Sequence, residues 1–373
     1  MILRSGTFDA MIADLKKTNK EIIIFGAGVI GTVTIPHILK QEQMFSKVAC
    51  YLDNDIGSQG KEKQVMNRHI PVFSPLYLKD KDPDDYVLVL AISRFSEVLE
   101  QLESFDWTGN WECYLAPMMC LISFHQEGGK GVCRDYDTPV IPRKLHYMWL
   151  GGKAIPDNLQ KCMDSWKRFC PDYEIVRWDE TNYDIDKHPY MKQAYEHRMF
   201  GFVPDYARVD ILCQHGGIYL DTDVEIKRPL SDLLYQEAFC GVEKWQTLNL
   251  GGLSGCIPGQ RAMKLLLEAR NKINFIRLDS SLNKLTCGFY DTKVLIDHGY
   301  VLNGTIQKIE GMNVYTSDYF HPYDYMSGRT ECTDDTFSIH HFNGGWLDER
   351  MRAQNEEAKR IYEEIYVKTM RMD

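Results

Sequence analysis

A chain of 373 residues, 44% hydrophobic and 26% charged, has the composition of a globular protein with room for two domains. Its formal net charge of -10 repels phosphate backbones and no Lys/Arg stripe offsets it. Nucleic acid is therefore excluded as an expected partner, and an anionic ligand would have to be held by a bound cation or a few aimed N–H groups. The 11 cysteines, an odd number with no metal-spaced pair, point to a reduced, cytoplasmic compartment. Residues 1–20 do not read as a signal peptide, and no apolar run approaches the length of a membrane span.

Along the chain, residues 21–25 read as a buried strand that runs into Gly26-Ala27-Gly28-Val29-Ile30-Gly31 and then a helix-length segment to about Lys40. A second strand, 47–52, ends at Asp53, at the distance where a dinucleotide fold places its ribose-binding acid. A third strand, 86–92, follows a loop over Pro71-Val72-Phe73-Ser74-Pro75 and precedes a helix through Leu102. This alternation predicts a small Rossmann-like, parallel-sheet domain over residues 1–125. Gly26, Gly28, Gly31 and Asp53 are its candidate nucleotide site, with a structural or partner-docking module as the alternative.

Residues 126–138, rich in Gly, Asp and Lys, are predicted to link this domain to a second one over 139–373. In that second domain 144–149 and 174–178 are strand-like, and Ile155-Pro156-Asp157 opens a helix through about Phe169. Pro204 occupies a first helical position, and the helix runs to Gln214 before Gly216-Gly217 stops it. The short strand Ile218-Tyr219-Leu220 then delivers Asp221-Thr222-Asp223 at its carboxyl end. The predicted class is α/β throughout.

Ligands of open α/β sheets collect at the carboxyl ends of strands. Two carboxylates spaced i, i+2 there can serve one Mn2+ or Mg2+ ion, which prefers oxygen ligands and bridges phosphate oxygens. A solvated turn can carry the same tripeptide, so context decides. Asp205 and Arg208, three residues apart on the preceding helix, share a face and can point to the same strand end. An ordinary surface ion pair is the plain alternative. Imidazole can complete a metal site begun by carboxylates, which singles out His340, with His341 second, in Ser338-Ile339-His340-His341-Phe342-Asn343-Gly344-Gly345-Trp346. The amides of Asn343 to Gly345 can approach a diphosphate closely.

The run from Pro204 to Asp223 resembles the signature of glycosyltransferase family 32, the sugar transferases with an Asp-x-Asp motif, and more distantly the glucosyltransferase domain of the large clostridial toxins. Two further segments carry the likeness. Ile141-Pro142-Arg143-Lys144-Leu145-His146-Tyr147-Met148-Trp149-Leu150-Gly151-Gly152 is similar to the family's opening strand, and 338–346 is similar to its closing His-His-aromatic-x-Gly-Ser-Trp segment. The chain departs from the pattern at Pro204 and at Gly345, where serine is usual, and Thr286-Cys287-Gly288 lacks the proline of the family's Thr-Gly-Pro loop.

The resemblance covers residues 140–348 and implies a GT-A type nucleotide-binding transferase domain. It also implies a nucleotide-sugar donor, UDP-sugar first, and a saccharide or lipid-linked saccharide acceptor in polysaccharide or capsule assembly. Transfer would retain the anomeric configuration by front-face displacement. Residue by residue, it implies that Asp221 and Asp223 hold Mn2+ (or Mg2+), with His340 and His341 as further metal ligands. Asp205 and Arg208 join the acidic pair as catalytic residues, Asp205 accepting hydrogen bonds from sugar hydroxyls and Arg208 contacting phosphate. Met148, Trp149, Tyr219, Asn249, Gly344, Gly345 and Trp346 are the implied donor-binding set, with Trp149 stacking on the base; a core Trp on a first strand is the alternative. The N-terminal segment through Asp53-Asn54-Asp55 and Ile70-Pro71-Val72 resembles small Rossmann-like domains appended to bacterial polysaccharide enzymes, including sugar acetyltransferases.

Two rival functions are open at this stage. An NAD-dependent oxidoreductase or sugar-nucleotide epimerase would need a Tyr-x-x-x-Lys, which Tyr77 and Lys81 fit in spacing but within a charged loop. A catalytically dead sugar-nucleotide sensor is opposed by the intact Asp221, Asp223 and Arg208. The tail from Arg350 clusters Ile361, Tyr362, Ile365 and Tyr366 at helical spacing, which predicts packing on the body. Its Lys359, Arg360, Lys368 and Arg371 leave peripheral contact with the inner face of the membrane open.

Overall fold

The computed structural model describes residues 1–342 apart from Ser5, Arg94, Asp279 and Met326, and then 353, 356–357 and 359–364. The predicted donor contacts at Gly344, Gly345 and Trp346, with Asn343, Ile365, Tyr366, Lys368 and Arg371, lie outside the described residues.

Two sheets organise the molecule. The first has seven strands, in the order Ile2–Arg4, Glu112–Leu115, Tyr86–Leu90, Glu21–Phe25, Val48–Leu52, Arg68–Phe73, Glu62–Val65. Every pairing is parallel except the last, a hairpin. Ile22, Ile23 and Ile24 are each 0% exposed, as a central parallel strand covered on both faces requires. The predicted loop at Pro71 is instead part of a strand. The parallel ladder to Val48–Leu52 registers only at Val72 and Phe73, so the missing N–H of Pro71 interrupts none of its rungs.

The second sheet is eight-stranded and mixed, ordered Gln307–Ile309, Met312–Tyr315, Ala238–Val242, Ser254–Cys256, Gly217–Tyr219, Lys144–Met148, Glu174–Trp178, with Leu248–Asn249 branching from Ala238–Val242. Lys144–Met148 runs parallel to both its neighbours, whereas Ser254–Cys256 is antiparallel to both of its own. Helix Val203–His215 lies beneath, buried from Val203 to Leu212 apart from Pro204. Gly216, at φ +63°, ends it and turns the chain into Gly217–Tyr219. Among the described residues no helix is long and apolar enough to cross a membrane.

The two sheets share one apolar core, in which Ile35, Ile38 and Leu39 of the first unit join Trp245, Tyr300 and Leu302 of the second. Thr34, 0% exposed, donates its hydroxyl to the Trp245 carbonyl at 3.1 Å across this junction. Replacement by the isosteric valine strands that carbonyl, and Thr34→Val is expected to lower stability by about 1–3 kcal/mol in chemical denaturation. The predicted linker is a strap fastened to the second unit. Asp335 accepts from the amides of Lys130 (2.8 Å) and Gly131 (3.1 Å), and Tyr315 from that of Cys133 (3.0 Å). In the tail, Tyr362 is 3% exposed and packs with Ile361 on the core of the first unit, as the helical spacing predicted.

Candidate active site

Helix Val203–His215 and the strand end beyond Gly217–Tyr219 bring Asp205, Arg208, Asp221 and Asp223 together. Arg208, with 4% side-chain exposure, stands 3.4 Å from Asp205 and 3.4 Å from Asp221, so it ties the helix to the strand end. Its Nε donates to the Pro204 carbonyl at 3.0 Å, which fixes the guanidinium plane. An exposed ion pair of this kind would contribute little. Here the arginine is enclosed, with Tyr219 beneath it at 5.5 Å, and is held firmly in the charged form. Burial raises the Asp221 carboxyl above the ordinary carboxylate range; Arg208 and His340 oppose that, while Asp223 and Asp205 add to it. Asp205 and Asp221 flank Arg208 while Asp223 pairs with His340, so three carboxylates face two basic groups and leave excess negative charge, the electrostatic condition for a cation.

His340 arrives from strand Ser338–His340, which pairs antiparallel with Val224–Ile226 so that Val224 lies opposite His340. Its Nε2 stands 3.2 Å from Asp223 Oδ1. Burial pulls its pKa down, but Asp223, then Asp221 and Glu243, carry it above the usual histidine value. Its Nδ1 is buried with no hydrogen-bond partner among the described residues. His341 departs from expectation: alternation along the strand turns its ring away, onto Glu225 at 3.0 Å, and only its backbone amide reaches the acidic pair, donating to the Asp223 carbonyl at 3.1 Å. Among the described residues no set of three ready-made metal ligands forms.

Gly251 closes the site from the other side. A Cβ built there would lie 2.1 Å from Asp221 Oδ2 and 2.4 Å from Arg208 Nη1, and the Gly251 carbonyl accepts from the Asp221 amide at 2.8 Å. The cradle around the carboxylate exists because this residue has no side chain. At Gly252 a Cβ would meet His321 Cε1 at 1.9 Å.

The remaining predicted residues fall into two groups. Met148 and Tyr219 are buried, at 6% and 1% exposure, and are walls rather than open contacts. Trp149 is partly buried and packs against the apolar core, with its indole N–H donated to the Lys153 carbonyl at 2.7 Å. Asn249 is committed to protein groups, as its side-chain oxygen accepts from the amides of Gly251 (2.9 Å) and Gly252 (3.2 Å). His146, in the opening-strand motif, uses both nitrogens, on the Gly216 carbonyl (3.0 Å) and the Trp178 indole (3.2 Å), and burial pushes its pKa down to about 4, so it braces the fold. Sequence reasoning missed Glu243 and His321, which join the site through a hairpin and a distant helix and belong to no spaced motif. The Asn249-x-Gly251-Gly252 string was the available signal for a tight turn.

In the first unit Gly26, at φ +106°, packs against the Ala91 carbonyl, where a Cβ would approach to 2.9 Å, and a Cβ on Gly31 would meet the Gly26 carbonyl at 1.9 Å. Asp53 does not face outward as a ribose acid. Its Oδ2 accepts from the Ala27 amide at 3.1 Å and its Oδ1 from the Asp55 amide at 2.9 Å, which closes the glycine turn on itself. Gly28 has open space where its Cβ would be. Lys81, just after the turn Pro75–Asp80, lies over the Tyr77 ring at 4.6 Å.

Comparison with known proteins bears on this geometry. Residues 156–240, which contain Asp205, Arg208, Asp221 and Asp223, match the family described as glycosyltransferase sugar-binding region containing DXD motif. The matched segment holds the run from Pro204 to Asp223 on which the resemblance to the Asp-x-Asp sugar transferases was drawn. Residues 5–116 match a C-methyltransferase C-terminal domain, a family that sequence reading did not name.

Among individual proteins, the chain is 25% identical over 209 residues to an uncharacterised glycosyltransferase of Acanthamoeba polyphaga mimivirus, covering 52% of this chain and 80% of that protein. It is 31% identical over 106 residues to inositol phosphoceramide mannosyltransferase 3 of Schizosaccharomyces pombe, covering 27% of this chain and 30% of the relative. Over 122 residues it is 26% identical to subversion of eukaryotic traffic protein A of Legionella pneumophila, covering 26% and 19% of the two chains. The chain thus spans four fifths of the first relative and less than a third of the other two. Among solved structures, PaToxG glycosyltransferase aligns with a TM-score of 0.35 and 14% identity, over 55% of this chain and 77% of that one.

Proposed function

We propose that the chain is a metal-dependent, retaining glycosyltransferase that moves a sugar from a UDP-sugar to a saccharide or lipid-linked saccharide in polysaccharide assembly, with a GT-A arrangement of its second sheet. The observation that carries this is the convergence of Asp205, Arg208, Asp221, Asp223 and His340 at one strand end beside a glycine that leaves room for a carboxylate. The donor set fits Mn2+ or Mg2+: hard oxygen ligands in excess of cationic charge, with His340 next to Asp223 as the further candidate. Asp221 and Asp223 would hold the ion, which when bound supplies charge neutralisation to a departing diphosphate.

The chain's own groups do the rest. Arg208 keeps Asp221 oriented and lends positive charge beside the acidic pair. Asp205, buried at 6% and touched by the Tyr190 hydroxyl at 3.3 Å, offers an acceptor to a sugar hydroxyl. Trp149, partly buried, is the flat aromatic group assigned to the base. The first unit serves as a structural module in this reading, because Asp53 already occupies the amide that a dinucleotide fold would offer to its ligand.

A donor screen tests the assignment: calorimetry and hydrolysis with UDP- and GDP-sugars, with and without Mn2+. Binding of a UDP-sugar only in the presence of metal is the expected result; metal-independent binding, or NAD turnover, overturns it. Gly251→Ala gives a second check. Its methyl would press on Asp221 and Arg208, and overpacking of this size costs about 1–3 kcal/mol, so donor turnover should fall roughly 10- to 100-fold while circular dichroism stays unchanged.

A further inference from the structure

Asn249 has more anchors than a residue waiting for a ligand needs. Its side-chain oxygen receives two consecutive amides, from Gly251 at 2.9 Å and Gly252 at 3.2 Å. Its Nδ2 donates to Glu243 Oε1 at 2.7 Å. Amides can only donate and a carboxylate can only accept, so the carboxamide cannot flip. The backbone is held as well, since Asn249 O lies 3.2 Å from Nε2 of the fully buried His321. A carbonyl oxygen can only accept, so the His321 ring donates from Nε2 to it. Glu243 is fixed by a tight hairpin in which its amide donates to the Thr247 carbonyl at 2.8 Å and Gln246 adopts φ +65°.

Gly251 transmits this to the acidic pair. Its N–H goes to Asn249 and its carbonyl to the Asp221 amide, while its bare Cα marks the surface against which the Asp221 carboxylate rests. We propose that Asn249, oriented by Glu243, is a positioning residue for Asp221, acting through the Gly251-Gly252 turn and not by contact with the donor sugar. The proposal rests on the transferase reading only for its consequence in turnover.

The test is a reciprocal swap in the full chain. Asn249→Asp keeps an oxygen for both glycine amides but sets a second carboxylate oxygen against Glu243. Glu243→Gln alone retains an oxygen for Asn249 Nδ2 and serves as the folding control. Combined, the two changes rebuild every bond with the donor and acceptor exchanged. Amide hydrogen exchange over 250–253 is expected to accelerate roughly 10-fold or more in Asn249→Asp, with kcat for Mn2+-dependent donor turnover falling about 10- to 100-fold and KM changing much less. The double variant should return both readouts to within about 3-fold of wild type, a coupling that additive damage cannot produce.

Unchanged exchange in Asn249→Asp, lost protection in Glu243→Gln, or a double variant that regains protection without turnover overturns the proposal. A wild-type chain that turns over no nucleotide sugar, with protection still restored by the swap, would instead sink the transferase reading and support the clamp.

Discussion

Asp223→Ala is expected to reduce metal-dependent donor turnover by about 10²- to 10³-fold, the size of effect seen when one preorganised group stabilising a leaving charge is removed. The variant should fold. Asp223 has 17% side-chain exposure, and its buried partner His340, at 8%, can give up its proton once that carboxylate is gone, so no unpaired buried charge is left. The physical cause is an unbalanced field. With one carboxylate gone, Arg208 neutralises much of what Asp221 and Asp205 supply, and the attraction for a divalent cation drops. Calorimetric titration with Mn2+ and a donor separates the two contributions. Wild-type turnover in Asp223→Ala would refute the metal role.

Arg270→Met should produce the largest loss of stability of any single substitution considered. Arg270 and Asp291 have side-chain exposures of 3% and 1%, and the guanidinium meets both carboxylate oxygens, at 2.8 and 2.7 Å from Nη2, with Nε adding 3.2 Å. Asp291 and the nearby acidic groups hold this arginine charged against the pull of burial. Removing one partner of such a pair leaves an uncompensated buried charge, at about 3–5 kcal/mol, whereas replacing both with apolar groups of similar volume is often close to neutral. Urea melts of Arg270→Met and of Arg270→Met combined with Asp291→Leu should therefore diverge, the double variant recovering most of the loss. The pair also anchors helix Cys287–Asp297, whose Cys287 Sγ approaches Arg208 Nη1 at 3.9 Å, so donor turnover should fall with stability in the single variant.

What could be read from the sequence follows from where the information is local. Glu21–Phe25 was found residue for residue, because a run of isoleucines ending in glycine leaves few alternatives. Helix Val203–His215 was also evident, because a proline near its start and glycines after its end punctuate it. Ile2–Arg4 was not found, since a three-residue edge strand carries no periodicity and exists only because Glu112–Leu115 pairs with it. Pro71 argued for a loop by propensity, and register overruled it. In the site, the motif spacing named the acidic pair and Arg208, but it could not say that alternation along Ser338–His340 would send His341 to Glu225. Nor could it say that Asn249 would be spent on two glycine amides, a fact of three-dimensional closure.

The tail helix returns to the first unit, where Tyr362 is buried, while the strap over 126–138 is pinned to the second by Asp335 and Tyr315. The polypeptide therefore closes on itself like a belt, with Ile361 and Tyr362 tucked against the first sheet's core. A protease that nicks the strap would produce two fragments still gripping each other. They would elute as one particle until a denaturant parted them, and separately expressed halves should reassemble on mixing.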